Sequence, residues 1–259
     1  MAETNKNNFL RWSNANNDNT LLPFPQIAEP NVKCTQPILV RGEETYFYWD
    51  ELSNTASGGI VGLCDLSKNV IYPVIGTLSA FTHLNGNHAI GSFTCPSDIP
   101  QGFYLLYIEV GLSEKLYSNV IEVLVDSNLI SETAVFEFWD TKQIRSFKYP
   151  YLTNFKQKFR LRYDKSNGKY FKEQEVQTYL SGTDKTISER SYKYFTMKIL
   201  EADESMRDAV ECMLSHSFIK VNNTFYDYKN DSGITISGEG EILANVEFEM
   251  KNNYNRVTC

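Results

Sequence analysis

The sequence contains few of the residues from which metal and redox centres are built. It has only three histidines and five cysteines among 259 residues, and no Cys-x-x-Cys pair occurs. Structural zinc sites and dithiol redox motifs need such spacing, so we expect neither a metal site nor a redox cofactor. The odd number of cysteines predicts free thiols in a reducing compartment and argues against a disulfide framework.

Motifs of known chemistry are also lacking. No nucleophile elbow, zinc-protease motif, phosphate-binding loop or dinucleotide-binding fingerprint occurs in a fitting context. His83 and His88 flank a short polar loop without a further ligand, and residues 227–233 lack the oxygen spacing of a calcium loop. Paired carboxylates leave no sequence signature, so glycoside hydrolysis is the one chemistry left open. We predict a non-enzymatic protein without catalytic, cofactor-binding or metal-binding residues.

Long apolar runs and helical periodicity are scarce. Nothing approaches the ~20 consecutive apolar residues of a transmembrane helix, and residues 1–20 lack the apolar core of a secretory signal. We therefore expect no membrane segment and synthesis in the cytoplasm. One helix is predicted, over residues 203–216, with Asp203 as its N-cap and an apolar stripe at helical spacing. His216 falls in its last turn, where a cation suits the helix dipole.

Strand signals dominate the first half of the chain. Aromatic residues make up 14% of the sequence, and residues 21–130 read as about seven short strands at 8–12-residue spacing. The hairpin of residues 98–125 carries Gly102 followed by Tyr104, a spacing typical of the tyrosine corner in immunoglobulin-like sandwiches. Leu106 stands where the immunoglobulin pattern has a cysteine, so packing must hold this sandwich together.

We predict a mainly β fold with three parts. They are a polar arm (1–20), an immunoglobulin-like β-sandwich (21–130), and a β-rich domain (131–259) with long hairpins and one packed α-helix. Hairpin reversals are predicted at Asn167-Gly168 and at Ser181-Gly182-Thr183, and a turn is predicted at Asn222-Asn223. Residues 1–130 carry 6 Lys/Arg and 13 Asp/Glu, whereas residues 131–259 carry 19 of each. This difference in charge favours two units with unlike surfaces.

The polar arm contains three large apolar residues, Phe9, Leu10 and Trp12. Apolar groups of this size dock onto other apolar surface more often than they stay in water. Two interpretations stay open: the arm docks on its own domain, or it docks on a neighbouring subunit. All three residues are therefore interface candidates.

A basic stretch spans residues 142–172, which hold ten Lys/Arg and a single acid. Within it the cations Lys156, Lys158, Arg160 and Arg162 recur at every second residue, which places them on one face of a strand. These four are also interface candidates. The face could meet the acidic half of the chain, in the same or a neighbouring subunit, or bind nucleic acid, or remain solvated.

Three segments carry a resemblance to a known family: GFYLLYIEV with KLYSNVIEV, then VFEFWD, and finally ANVEFEMKNNYNRVTC at the C-terminus. The chain resembles virion structural proteins of the tail, baseplate or neck in phages and prophages of Bacteroidetes, among them the crAss-like phages. In that family a sandwich hairpin of this kind is followed by an aromatic strand and a closing β domain.

The resemblance implies a virion component, made in the bacterial host cytoplasm, that assembles as a symmetric ring. Its partners would be copies of itself and other virion proteins, with contact to packaged DNA as a lesser expectation. The long hairpins of residues 154–200 would reach a neighbouring subunit or the tail lumen. A carbohydrate- or surface-binding β-sandwich is the alternative, and a cell-wall-degrading tail lysin is a third hypothesis.

Overall fold

The computed structural model describes residues 9–10, 12–14, 36–52, 59–83, 86–110, 114–140, 156–182, 184–228, 233–237 and 244–252. Most of the predicted arm, the proline-rich residues 21–35, the centre of the 227–233 turn and the last seven residues lie outside this part of the chain.

The described residues form seventeen strands and two helices. In chain order these are β1 (Trp12–Asn14), β2 (Ile38–Val40), β3 (Glu44–Leu52), β4 (Gly59–Cys64), β5 (Val70–His83), β6 (Gly86–Thr94), β7 (Gly102–Val110), β8 (Glu114–Leu124), α1 (Ser127–Ser131), β9 (Thr133–Trp139), β10 (Gln157–Arg162), β11 (Asp164–Lys165), β12 (Lys169–Thr178), β13 (Asp184–Ala202), α2 (Glu204–Leu214), β14 (Phe218–Val221), β15 (Thr224–Tyr228), β16 (Ile234–Ser237) and β17 (Ala244–Asn252). The prediction of a mainly β protein is confirmed.

The strands of the first half form a barrel-like sheet. Pairing runs β3–β6–β5–β4–β7–β8, all antiparallel, and β8 then pairs with β2 in parallel. The remaining gap is bridged by β10, which pairs with β2 at Arg160↔Ile38 and with β3 at Lys158↔Tyr46. A strand from the second half of the sequence therefore completes the sheet of the first.

The second half continues from the other edge of β10. The order is β10–β9–β14–β15–β17–β13, and β12 pairs with the outer edge of β13.

The apolar stripe of α2 packs into the core, through Met206, Ala209, Val210, Met213 and Leu214. Asp203 caps this helix, accepting a hydrogen bond from the Met206 N–H at 2.7 Å. The predicted helix and its cap are confirmed.

One hydrophobic cluster runs through both halves of the chain. It joins Phe47 and Ile121 of the first half to Phe136, Met197 and Phe248 of the second. The two-unit division at residue 130 stays a prediction, because no strand pairing tests whether either half folds separately.

The boundary between the two halves forms the short helix α1, which the sequence pattern did not indicate. Asp126 caps this helix, because its side chain accepts a hydrogen bond from the Asn128 N–H at 2.8 Å.

The predicted tyrosine hydrogen bond is present at the entrance to β7. The Tyr104 hydroxyl donates to the Pro100 carbonyl at 3.1 Å, turning back across four residues. Leu106, which stands at the position expected for an immunoglobulin cysteine, is fully buried.

Burial raises the pKa of the Cys64 and Cys95 thiols to about 12, so both are protonated and unreactive at neutral pH.

The predicted hairpin at Asn167-Gly168 is wrong. The strands on its two sides, β11 and β12, both pair with β13 and run in the same direction along its edge. Between them the Ser166 N–H donates to the Thr196 carbonyl at 2.9 Å, so the turn residues interrupt one edge strand instead of reversing it. Gly168 has φ +77°, which explains why the position holds glycine. A glycine with positive φ marks a bulge or interruption as readily as a reversal.

The other predicted reversals are confirmed. Gly182 has φ +77° and its N–H donates to the Tyr179 carbonyl at 2.9 Å in the turn between β12 and β13. Asn222 and Asn223 both have positive φ and connect β14 to β15. Asparagine tolerates a positive φ better than most other residues except glycine do.

His216 lies beyond the end of α2 and is buried, with 5% of its surface exposed. Its Nδ1 is 2.8 Å from the Cys212 carbonyl oxygen, and its ring meets Phe138 edge-on at 4.8 Å between centroids. Burial lowers the pKa of His216 below its usual value of 6.5, although the Asp140 carboxylate opposes this. His216 therefore contacts a carbonyl at the C-terminal end of α2, as a helix C-terminal residue should, while its burial favours the neutral ring.

This burial predicts a pH dependence of stability. As the pH falls below about 6.5, the unfolded chain binds a proton at His216 before the folded chain does, so the free energy of unfolding decreases by at most ~1.4 kcal/mol per pH unit. Urea unfolding of the wild type and of His216→Asn between pH 7 and pH 5 measures the effect. The asparagine keeps a donor near the Cys212 carbonyl but does not titrate, so the variant should lose less stability. Equal losses would contradict the assignment.

Candidate functional site

The arm residues lie in the core of their own chain. Phe9, Leu10 and Trp12 are 2%, 1% and 4% exposed. The Phe9 ring packs against Phe159 at 5.1 Å between centroids, and its carbonyl accepts from the Asn119 side-chain amide at 3.2 Å. Of the two open interpretations, docking on the parent chain is the one that the structure displays, because β1 pairs with β8 and directs the Trp12 ring inward.

The basic strand β10 alternates as its sequence pattern predicts. Gln157, Phe159 and Leu161 are buried, whereas Lys158, Arg160 and Arg162 on the opposite face are half-buried. The apolar side chains anchor the strand to the core, and this fixes where the cations emerge. The positions of the cations therefore follow from the two-residue period of the strand.

The central cation of this face, Arg160, is held by the turn between β2 and β3. Its Nε donates to Oε2 of Glu43 at 2.7 Å and its Nη2 to Oε1 at 3.3 Å, a two-pronged contact. A third donor, Nη1, reaches the Thr133 hydroxyl at 2.7 Å. The side chains of Arg160 and Glu43 are 15% and 16% exposed, and Lys158 adds a weaker contact to the same carboxylate at 3.9 Å.

The next cation, Arg162, has a different acidic partner. Its Nη2 lies 2.6 Å from Oε1 of Glu122 near the end of β8. Both carboxylates belong to the acidic first half of the chain and both guanidinium groups to the basic stretch. The expected charge complementarity is therefore present within one chain, and it joins β10 to the sheet that β10 completes.

The remaining one of the four cations, Lys156, is exposed. Its ammonium group lies 4.7 Å from the centroid of the Trp139 ring. Trp139 stacks on Phe218 and meets Phe225 edge-on, and Lys220 lies over both Trp139 and Phe225. Phe218 and Phe225 are 36% and 42% exposed. These five residues, here called the aromatic face, form a surface that the sequence did not single out.

Strands β12 and β13 extend beyond the rest of the sheet. β17 pairs with β13 only from Tyr194 onward, so residues 184–193 of β13 pair with β12 alone within the described chain. This two-stranded extension, here called the ribbon (residues 169–193), spans roughly 30 Å at the rise of an antiparallel strand. Its tip is apolar and open to solvent: Val176 and Tyr179 are about half exposed, and Leu180 is fully exposed.

Among the described residues, no group of three or more His, Cys, Asp or Glu side chains is arranged to hold a metal ion. Nor does either helix in this part of the chain have the length and apolar character that crossing a bilayer requires.

Comparisons with protein-family models, curated proteins and solved structures found no match to this chain.

The ion pairs formed by the arginines of β10 predict an effect on the stability of the fold. Arg160→Met leaves the Glu43 carboxylate largely buried without its guanidinium, so the free energy of unfolding should fall by about 3 kcal/mol. Chemical unfolding measures it. Lys115→Met is the matched control, because the Lys115–Glu109 pair is one-third exposed and contributes under about 1 kcal/mol. An Arg160→Met variant as stable as the control would show that the pair does not hold β10 in place.

Proposed function

We propose that this protein is a non-enzymatic structural component of a phage virion, placed in a tail or neck ring or in a baseplate. It assembles into a symmetric oligomer of identical chains. The observation that carries the proposal is the ribbon, which leaves the body of the chain and ends in exposed apolar side chains. The resemblance of the sequence to virion proteins of Bacteroidetes phages supplies the biological setting.

The ribbon is the kind of element that needs a partner. A two-stranded hairpin is only marginally stable alone in water, and its outer edges offer unpaired backbone groups to other strands. Val176, Tyr179 and Leu180 add apolar surface at the tip that packing against another chain would remove from water. In a ring, every copy offers a ribbon to one neighbour and receives a ribbon from the other.

An immunoglobulin-like module in the first half fits this role. Three features support it: the order β3–β6–β5 and β4–β7–β8, the parallel pairing of β2 with β8, and the Tyr104–Pro100 hydrogen bond at the start of β7. The module would contribute a rigid body to the assembly, held by packing at Leu106 where other members of that fold carry a disulfide.

The interface that we now propose differs from the one that the sequence suggested. Phe9, Leu10 and Trp12 are used inside the chain, and Arg160 and Arg162 pair with its own carboxylates. Of the interface candidates, Lys156 is the one that is exposed, so it stays available, together with the aromatic face, for a contact with packaged DNA or with another virion protein.

A carbohydrate- or surface-binding protein is the second candidate function. The aromatic face favours it, because exposed Phe218 and Phe225 rings could stack on sugar rings. However, Lys156 and Lys220 lie over the Trp139 and Phe225 rings, where a sugar would have to stack. Glycan-array binding that is lost in Phe225→Ala would favour this function over assembly.

The ribbon tip provides the test of assembly. Replacing Tyr179 and Leu180 together by serine removes apolar groups that the described part of the chain leaves exposed, so the melting temperature should not change while the oligomer dissociates at least tenfold more readily. Sedimentation velocity and negative-stain images of the full chain measure this. Phe103→Ser, at an exposed apolar position on β7, is the control. A wild-type protein that stays monomeric at high concentration in low salt would refute the proposed function.

A further inference from the structure

Two lysines at the base of the ribbon lie close to the same aromatic ring. Lys165 Nζ is 3.9 Å from the centroid of the Phe195 ring, and Lys193 Nζ is 5.0 Å from it. Phe195 is 9% exposed and belongs to the hydrophobic core, so both ammonium groups sit where the core ends and the ribbon begins. The backbone reaches this point through Gly168, where a Cβ would lie 2.7 Å from both Lys193 Cε and Phe195 Cε1.

A tyrosine hydroxyl completes the group. Lys165 Nζ is 2.7 Å from the Tyr226 hydroxyl oxygen, and Tyr226 is 4% exposed. An ammonium group can only donate, so the Tyr226 oxygen accepts this bond and its own O–H remains to donate elsewhere. Lys165, Lys193 and Tyr226, here called the donor cluster, therefore present three hydrogen-bond donors and two positive charges around one ring.

Burial makes this positive charge costly. Burial lowers the pKa of Lys165 and raises the pKa of Tyr226, and the positive charge of Lys193 partly opposes the increase at Tyr226. The described residues provide no ion pair for either lysine, in contrast to Arg160 and Arg162 on β10. A partly desolvated cation gains most from a charge-assisted hydrogen bond to an anion.

We propose, on the basis of the ring assembly above, that the donor cluster binds a carboxylate from the acidic first half of a second copy of this chain. Residues 1–130 have seven more acids than bases, and two of these acids already hold the basic strand β10. Others stay exposed in the same half, among them Glu44, Asp98 and Asp126. Acids of the first half thus pair with cations of the second half twice, once within the chain and once between chains.

This contact is heterologous, since its two sides come from different parts of the chain. A contact of this kind joins copies head to tail, and it generates a ring when the rotation between neighbours closes. The donor cluster lies at the base of the ribbon, so a neighbour bound there would also contact the ribbon. The electrostatic contact sets the register, and the apolar tip contributes buried area.

Zero-length carbodiimide cross-linking of the full chain tests the proposal, because it joins a lysine to a carboxylate only where the two are in direct contact. Mixing isotopically light and heavy protein separates links between copies from links within one copy. We expect Lys165 or Lys193 to be linked to an acid of residues 1–130 in the other copy. Links confined to one copy, or to residues 131–259, would overturn the proposal.

Variants give an independent readout of the same contact. Lys165→Met with Lys193→Met removes both charges without introducing an acid, so the fold should persist while dissociation of the oligomer increases at least tenfold. Lys115→Met with Lys198→Met is the control, since these lysines pair with Glu109 and Glu247 of their own chain and the net charge changes equally. If the donor-cluster variant assembles like the control, the proposed contact is refuted but the proposed ring assembly is not. If the wild type is monomeric, both the ring assembly and this contact are refuted.

Discussion

The position of strand β10 is the constraint on which the rest of the fold depends. Its buried residues, Phe159 and Leu161, join the core that both halves of the chain share, and its cations reach Glu43 and Glu122 in the first half. On one edge it pairs with β9, and on the other it bridges β2 and β3. The chain therefore brings residues more than a hundred positions apart together, and both the burial of apolar side chains and the ion pairs favour this position of β10.

This arrangement decides which surfaces remain for a partner. Most of the interface candidates that the sequence predicted, in the arm and on β10, form contacts within their own chain instead. Three surfaces of the second half stay available to a partner: the ribbon tip, the donor cluster at its base, and the aromatic face around Trp139. A protein that exposes apolar groups at an extended hairpin and carries cations at its base without an ion pair among the described residues is suited to assembly, because association covers both kinds of group at once.

The two sets of cations differ in a physically consistent way. Arg160 offers a planar group with several donors, which matches the two oxygens of Glu43 in a fixed, largely buried geometry. Lys165 and Lys193 are point charges on flexible stems, and aromatic rings hold them without neutralising them. Arginine thus serves the permanent contact inside the chain, and lysine serves the site that we propose for a partner.

The sequence by itself determined what depends on short-range periodicity. Alternation at β10, the cap and stripe of α2, the Tyr104 corner and the Asn222-Asn223 turn all follow from residues within a few positions of one another. The tertiary structure alone decided which partners meet: that Glu43 and Glu122 receive the arginines, that Asn167-Gly168 interrupts an edge strand, and that His216 is buried and neutral. These outcomes depend on strands distant in sequence, because a local pattern fixes the direction in which a side chain points but not which distant residue will lie there.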